Sequence, residues 1–376
     1  MVTFHRLSPR PRICVPSWRN FRKVVFQCAV YEAQDVLAEI DDVDLLCPEP
    51  RPGFSWRDEL QKKLVWVDFT KTLPTLNPGL GTVRLERSYD LFVAFCQNWT
   101  DLLVLNAVKG WKERCGISVC WIDEMWADWV PRYKNWIHLI GRFDHVAVTF
   151  KGSVGALERA LGRPVHWVPH AVDALRFTPW PGPPDRVIDV YSIGRRWDEV
   201  HRALRDMAAK DKTFLYVHDT TRLSDSNAPD HREHRDLIAS LAKRSRFFLA
   251  APAKMDTLRE SGDQSELGSR YYEGTAAGSV LLGRAPVGDS FGELFGWQDA
   301  VVEIAPDGTD AAQVVTDLLK QPDRIREIGT RNAREALLRH DWVYRWEKVL
   351  AIAGLEPRPA LALRKERLFG VGPQQV

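Results

Sequence analysis

Short apolar runs alternate with helical stretches through the first half of this chain, stop at a proline-rich segment, and then begin again. In the first half the strand-like runs are 12–17 (RICVPS), 43–47 (VDLLC), 89–96 (YDLFVAFC), 116–122 (GISVCWI) and 145–149 (HVAVT), with helices expected at 20–38, 56–64 and 101–114. Runs this apolar leave no polar face for water, so they belong to a parallel sheet covered by helices on both sides. Segment 178–184 (TPWPGPP) can carry neither a helix nor a central strand and reads as a linker. Beyond it, strands are expected at 187–193, 213–217, 246–250, 280–282 and 300–304, alternating with helices at 197–209, 231–243, 270–277 and 310–319. The sequence therefore predicts an α/β protein with two Rossmann-like parallel-sheet domains, 1–175 and 176–340. A helix at 341–356, with Trp342, Trp346 and Leu350 at helical spacing, and a tail at 357–376 follow them.

Composition removes several alternatives. Lys and Arg total 52 against 50 Asp and Glu, so no polyanion such as nucleic acid is expected as the main partner. No apolar stretch reaches the eighteen or more residues of a membrane span, and no apolar core follows the basic N-terminus, so neither a transmembrane segment nor a signal peptide is expected. The cysteines at 14, 28, 47, 96, 115 and 120 form no Cys-x-x-Cys pair and mostly lie inside apolar runs. They read as reduced, buried small hydrophobes of a cytoplasmic protein. In the tail, Arg364, Lys365 and Arg367 beside Leu361, Leu363, Leu368 and Phe369 would suit either the inner face of a membrane or a frayed end.

In open α/β sheets ligands bind where the carboxyl ends of the strands meet loops and helix N-termini. The most informative such loop precedes the helix expected at 270–277. There Gly268-Ser269 opens a helix carrying Arg270 and Glu273 in its first turn, and Gly278 stands where a left-handed terminator belongs. Helix-start N–H groups and an arginine fork can hold phosphate oxygens, while a carboxylate suits a ribose diol. The same residues would equally make a plain Ser-capped helix with a Glu that favours its dipole.

The window resembles the donor-binding signature of GT-B glycosyltransferases, the family 4-like group 1 enzymes and the related spore-maturation-protein-like branch. Arg270-Tyr271-Tyr272-Glu273 fits that branch's Arg-aromatic-aromatic-Glu. Glu273 matches the Glu that the family places on the nucleotide ribose, and Gly268 matches the loop glycine near the donor phosphate. Eight residues before Glu273 the family has a further Glu; here Ser265 stands there, with Glu266 beside it. Two more segments agree in order: 168–179 (VPHAVDALRFTP) resembles the crossover between the domains, and 189–196 (DVYSIGRR) resembles the strand and GR loop that open the second domain. Arg195 and Arg270 are then the implied diphosphate pair, with Arg196 as the alternative, and the lysine that usually follows the GR loop is missing. Segment 339–345 (RHDWVYR) resembles the last helix, which crosses back onto the first domain.

Other candidates come from position. Asp123 and Glu124 end the run GISVCWI and are expected to face the cleft, as a general base, as acceptor ligands, or as solvated caps. Ser17, Trp18 and Arg19 follow the first strand, where the family carries a glycine-rich loop. His218-Asp219 ends the strand at 213–217. Trp126, Trp129, Tyr133 and Trp136 form a stripe that would be a sugar platform or packing. His231 and His234, and Asp42-Val-Asp44, imitate metal motifs but read as a solvated helix face and a turn. The resemblance implies a metal-independent transferase with no cofactor, using a UDP or GDP sugar as co-substrate and probing an unassigned acceptor (glycan, lipid, small molecule or protein), with retention of configuration. An epimerase- or phosphorylase-like use of the fold, and a catalytically silent sugar-binding assembly protein, are the alternatives.

Overall fold

The structure, a computed structural model, describes residues 3–6, 11–65, 72–220, 227–254 and 262–372. The chain divides into two compact units: Met1–Pro169 with Arg345–Ala362, and His170–Tyr344 with Leu363–Val376.

The first unit contains β1 (Thr3–Arg6), β2 (Ile13–Pro16), β3 (Val43–Cys47), β4 (Val83–Arg84), β5 (Tyr89–Asn98), β6 (Val108–Lys109), β7 (Cys115–Glu124), β8 (His145–Val148) and β9 (His166–Trp167). Seven of them form one sheet in the order β1-β3-β2-β5-β7-β8-β9, and β4 pairs with β6 in a small ladder. All pairings in the large sheet are parallel except that of β1 with β3, an edge pairing not anticipated from the sequence. The central strands β5 and β7 are buried over most of their length, as their unbroken apolar runs require.

Helices depart from expectation where packing outweighs period. The first begins later, as Cys28–Ile40 after a 3-10 turn. The stretch at 101–114 is not one α-helix: Trp99–Ala107 winds as 3-10 turns with Asp101 to Ala107 all buried, and Trp111–Arg114 adds one α-turn. The stripe Trp126, Trp129, Tyr133, Trp136 is broken at Pro131 into a 3-10 segment Ala127–Arg132 and an α-helix Lys134–Ile140. Trp126, Tyr133 and Trp136 are buried, with Trp99 edge-on to Tyr133 and Trp136 at 4.5 and 4.4 Å, so these rings are core. The helix Trp342–Ile352 begins in the second unit and belongs to the first from Arg345 onward. Its Trp346 is fully buried beside the stacked pair Phe95–Trp121 and donates to the Ala33 carbonyl at 2.7 Å. Trp346→Ala is expected to cost about 3–5 kcal/mol, as for other buried large-to-small changes, read as an early denaturation midpoint.

The second unit contains β10 (Ile188–Ser192), β11 (Tyr216–His218), β12 (Ser245–Ala250), β13 (Val280–Gly283) and β14 (Val302–Glu303). They form an all-parallel sheet in the order β11-β10-β12-β13-β14. Between them lie Asp198–Lys210, His231–Lys243, Ser269–Ala276 and Asp289–Phe295, with Ala311–Leu319 and Pro322–Arg339 after β14. Gly278 has φ +66° and ends the Ser269–Ala276 helix as a left-handed residue should. The tail does not fray: Pro359–Val371 is a helix that buries Leu361, Arg364 and Leu368 and leaves Leu363 and Phe369 exposed. No described helix is long and apolar enough to cross a membrane. The six cysteines are free, five buried and Cys115 half-buried.

Candidate active site

In the second sheet the chain runs from β10 outward to β11 and back across to β12, so the connections leave β10 and β12 on opposite sides. That switch point opens a crevice at the carboxyl ends of the two strands. The loop leaving β10 holds Gly194, Arg195 and Arg196; the segment leaving β12 leads to the Ser269–Ala276 helix.

Gly194 has φ +87°, and a Cβ there would lie 3.2 Å from Nη2 and 3.4 Å from Nε of Arg270. The guanidinium thus rests against bare backbone. The turn is fixed by Asp219, whose Oδ2 accepts from the Gly194 N–H at 2.9 Å while its carbonyl accepts from Arg196 at 2.8 Å. Arg195 and Arg196 are exposed on this loop. His218 adjoins Asp219 and stacks edge-on with His201 at 4.7 Å; His201 bonds the Tyr216 hydroxyl at 2.9 Å. Burial, with Arg196 and His218 nearby, lowers the pKa of His201 and favours its neutral form.

Arg270 is held from its other side by Glu273, which accepts from Arg270 through Oε2 and from Arg235 through Oε1. Glu273 is 1% exposed and Arg235 is 2% exposed, so this pair lies inside the unit and only Arg270 reaches outward. Burial alone would raise the Glu273 pKa, but Arg270 and Arg235 together pull it down to about 2. The carboxylate is therefore a fixed anion that aims a cation. Gly268 precedes the helix in extended conformation and Ser269 is its first residue, so the first-turn N–H groups start beside Arg270. Ser265 accepts from the Val287 N–H at 3.2 Å, and Glu266, buried, accepts from Gln264 at 2.7 Å.

Arg235 was not singled out from sequence. Its helix, His231–Lys243, buries Arg235, Ile238, Ala239 and Ala242, so the arginine occupies the first place of the apolar stripe. That misplacement of a charge on a buried face is the signal that finds it.

In the first unit the equivalent switch point lies between β2 and β5. The loop after β2 is filled by side chains instead of glycines. Ser17 donates to Gln34 at 2.6 Å, Arg19 donates to Ser17 at 3.1 Å and to Asp35 at 2.8 Å, and Trp18 is fully buried. Asp123 and Glu124 end β7 at the same edge, with Glu124 in register with Asn98. Asp123 accepts from Gln97 at 3.1 Å, and Glu124 accepts from the Trp126 indole at 3.1 Å. Asp44 is buried and accepts from the Tyr89 hydroxyl at 2.9 Å, which makes it structural. Among the described residues no three His, Cys, Asp or Glu side chains stand within reach of one metal ion.

Gly194→Ala should strain the left-handed turn by about 1–2 kcal/mol and push Arg270 aside. A lower denaturation midpoint than wild type is expected; an unchanged midpoint would show that a side chain fits at Gly194 without displacing Arg270.

Residues 185–351 match the protein family described as Glycosyl transferase-like. Among solved structures, an alpha-glucosyltransferase in complex with UDP and a 13-mer DNA containing a central A:G mismatch is similar, with TM-score 0.51 and 10% identity over 92% of this chain and 100% of that one. TarM is similar with TM-score 0.47 and 11% identity over 70% of this chain, which spans only 54% of that protein. A UDP-N-acetylglucosamine 2-epimerase gives TM-score 0.47 and 12% identity over 94% and 98% of the two chains. At these identities the likeness is one of fold. No curated protein sequence matches the chain.

Proposed function

We propose that this chain, glycosyl transferase-like over residues 185–351 and GT-B in fold, moves a sugar from a nucleotide-diphosphate sugar onto an acceptor. The observation that carries the reading is Arg270, seated on Gly194 at the strand switch point and aimed from behind by the buried Glu273–Arg235 pair. A leaving diphosphate gains negative charge as the glycosidic bond breaks. Arg270, the N–H groups after Gly268, and Arg195 or Arg196 supply positive charge there in advance, so little reorganisation is needed in the transition state. This cation set takes the place a metal ion would have in neutralising the leaving group. His218 borders the same loop. On the first unit, Asp123 or Glu124 would hold or deprotonate the acceptor hydroxyl. Retention of configuration is the stereochemical expectation, and UDP is the first nucleotide to try, since the alpha-glucosyltransferase structure of the same fold carries it.

Thermal stabilisation across UDP, GDP and other nucleotide diphosphates and their sugars, with EDTA present, tests this in wild type and Arg270→Gln. A ligand at 100 times its Kd adds about 2.7 kcal/mol. Selective stabilisation by one nucleotide, lost in the variant and accompanied by turnover of its sugar, is the expected outcome. Stabilisation with no turnover on any acceptor would favour the silent binder, and no stabilisation by any nucleotide would sink the donor site.

A further inference from the structure

A second concentration of unbalanced charge lies on the first unit, away from the residues above. A cavity of about 320 Å³ is lined by Asn106, Lys109, Trp111, Lys112, Glu113 and Arg142 among others. It opens at the amino ends of β7 and β8: Trp111–Arg114 runs directly into β7, and Arg142 precedes β8. Asp123 and Glu124 end β7 at its opposite edge, roughly 30 Å away at about 3.3 Å per residue.

Three cations and one carboxylate line this space. Among the described residues Lys109, Lys112 and Arg142 form no ion pair. Arg142 is half-buried, and burial lowers its pKa with no carboxylate opposing the drop. Its guanidinium and the Lys112 ammonium each lie 5.6 Å from the centre of the Trp111 ring. That ring stacks on Phe92 at 4.8 Å and on Phe143 at 4.9 Å, so it is a rigid post for both cations. In the small ladder Lys109 stands in register with Arg84, two like charges on paired strands. Such a pairing is unfavourable unless something negative lies over it. A desolvated cation without a counter-ion is likewise costly, and a doubly charged phosphate offers two or more acceptor oxygens to a guanidinium fork. At about 30 Å³ per water, the space exceeds what a single small ion fills.

We propose that this cavity binds the phosphate group of an anionic ligand, a phosphate monoester or diphosphate, at the rim of the sheet opposite Asp123 and Glu124. Soluble sugar phosphates and the monoester headgroup of phosphatidic acid share this chemistry. The site is independent of the donor site, which also takes phosphate, so the two must be removed separately.

Calorimetric titration of inorganic pyrophosphate into the Arg270→Gln protein tests it. One saturable, salt-sensitive site is expected to remain, and adding Lys112→Gln with Arg142→Gln should weaken it at least tenfold. The exposed pair Lys109→Gln with Lys112→Gln, which keeps the half-buried Arg142 over the Trp111 ring, should weaken it in the same direction and guards against a variant that fails to fold. Co-sedimentation with phosphatidylcholine vesicles, with and without phosphatidic acid, tells the sources apart. Pyrophosphate-competed binding to the anionic vesicles alone assigns the headgroup; pyrophosphate binding without vesicle binding assigns a soluble phosphate. Absence of pyrophosphate binding in Arg270→Gln, or binding indifferent to the cavity substitutions, overturns the proposal. The donor reading fails by a different result, identical pyrophosphate binding in wild type and Arg270→Gln.

Discussion

Glu273→Ala should destabilise the second unit by about 3–5 kcal/mol, because it breaks a buried ion pair and removes the carboxylate that the Arg235 guanidinium faces. For a unit of this size that is a fall in Tm of roughly 10 °C. Arg235→Ala should do comparable damage from the other side. These losses come before any effect on ligand binding, so a weakened thermal response to nucleotide in Glu273→Ala would not by itself place the carboxylate on a ribose. Arg270→Gln keeps the Arg235–Glu273 pair and is the cleaner probe. If Glu273 acts by aiming Arg270, Arg270→Gln should reproduce the ligand defect of Glu273→Gln; if it binds ribose, the two defects should add. The pH dependence has a definite sign. The Glu273 carboxyl is held below its ordinary value of 4.5, at about 2, by the two arginines against the opposing effect of burial. Its contribution is complete above about pH 4.5 and is lost as pH falls toward 2, amounting to about 3 kcal/mol at 1.36 kcal/mol per unit. Acid unfolding monitored in wild type and Glu273→Gln should show a steeper acid loss in the wild type; parallel curves would contradict the ion-pair assignment.

Arg364→Ala should cost about 3–5 kcal/mol as well, for the same physical reason in another place. Arg364 donates through Nε to Asp341 at 2.9 Å and through Nη2 to Asp341 at 2.8 Å and Asp173 at 2.7 Å. Asp341 is fully buried and also accepts from the Ala174 and Val343 N–H groups, each at 2.9 Å. Burial raises the Asp341 pKa, against the pull of Arg364. Without the guanidinium this carboxylate must take up a proton or stay charged in the interior. Arg364→Met combined with Asp341→Asn should therefore recover part of the loss, measured by urea denaturation. Equal costs for the single and double variants would show that Arg364 contributes only its packing.

The architecture was legible because its strands are apolar on both faces and the segment TPWPGPP stands between the two series. Where the sequence misled, period failed for a local reason. In Leu102–Leu105 four apolar residues in a row fill all sides of a turn, so no amphipathic face distinguishes an α-helix from the 3-10 turns found. The tail at 357–376 looked unpatterned because Arg364 occupies a buried place between Leu361 and Leu368, three and four residues away. Arg235 hid in the same way among the charges of HREHR. In both cases an arginine on an apolar stripe was the trace of a buried acid elsewhere in the chain. The helix start at Gly268 and Ser269, with Arg270 and Glu273 behind it, was legible because a helix start is local in sequence. The contact of Arg270 with Gly194 spans 76 residues and could not be read from either segment alone.

Neither unit is a continuous stretch of chain, and this bears on how the protein is made. Residues 345–362 complete the first unit, so Trp346 cannot take its seat beside Phe95 and Trp121 until residues 170–344 have been synthesised. By then the whole five-stranded sheet of the second unit has been synthesised. The first unit therefore cannot finish folding as soon as its own N-terminal stretch is made, as an N-terminal unit usually can during synthesis. The first unit lacks Trp346 while residues 170–344 are being made, and the second in turn lacks Arg364 until residues 345–362 have completed the first.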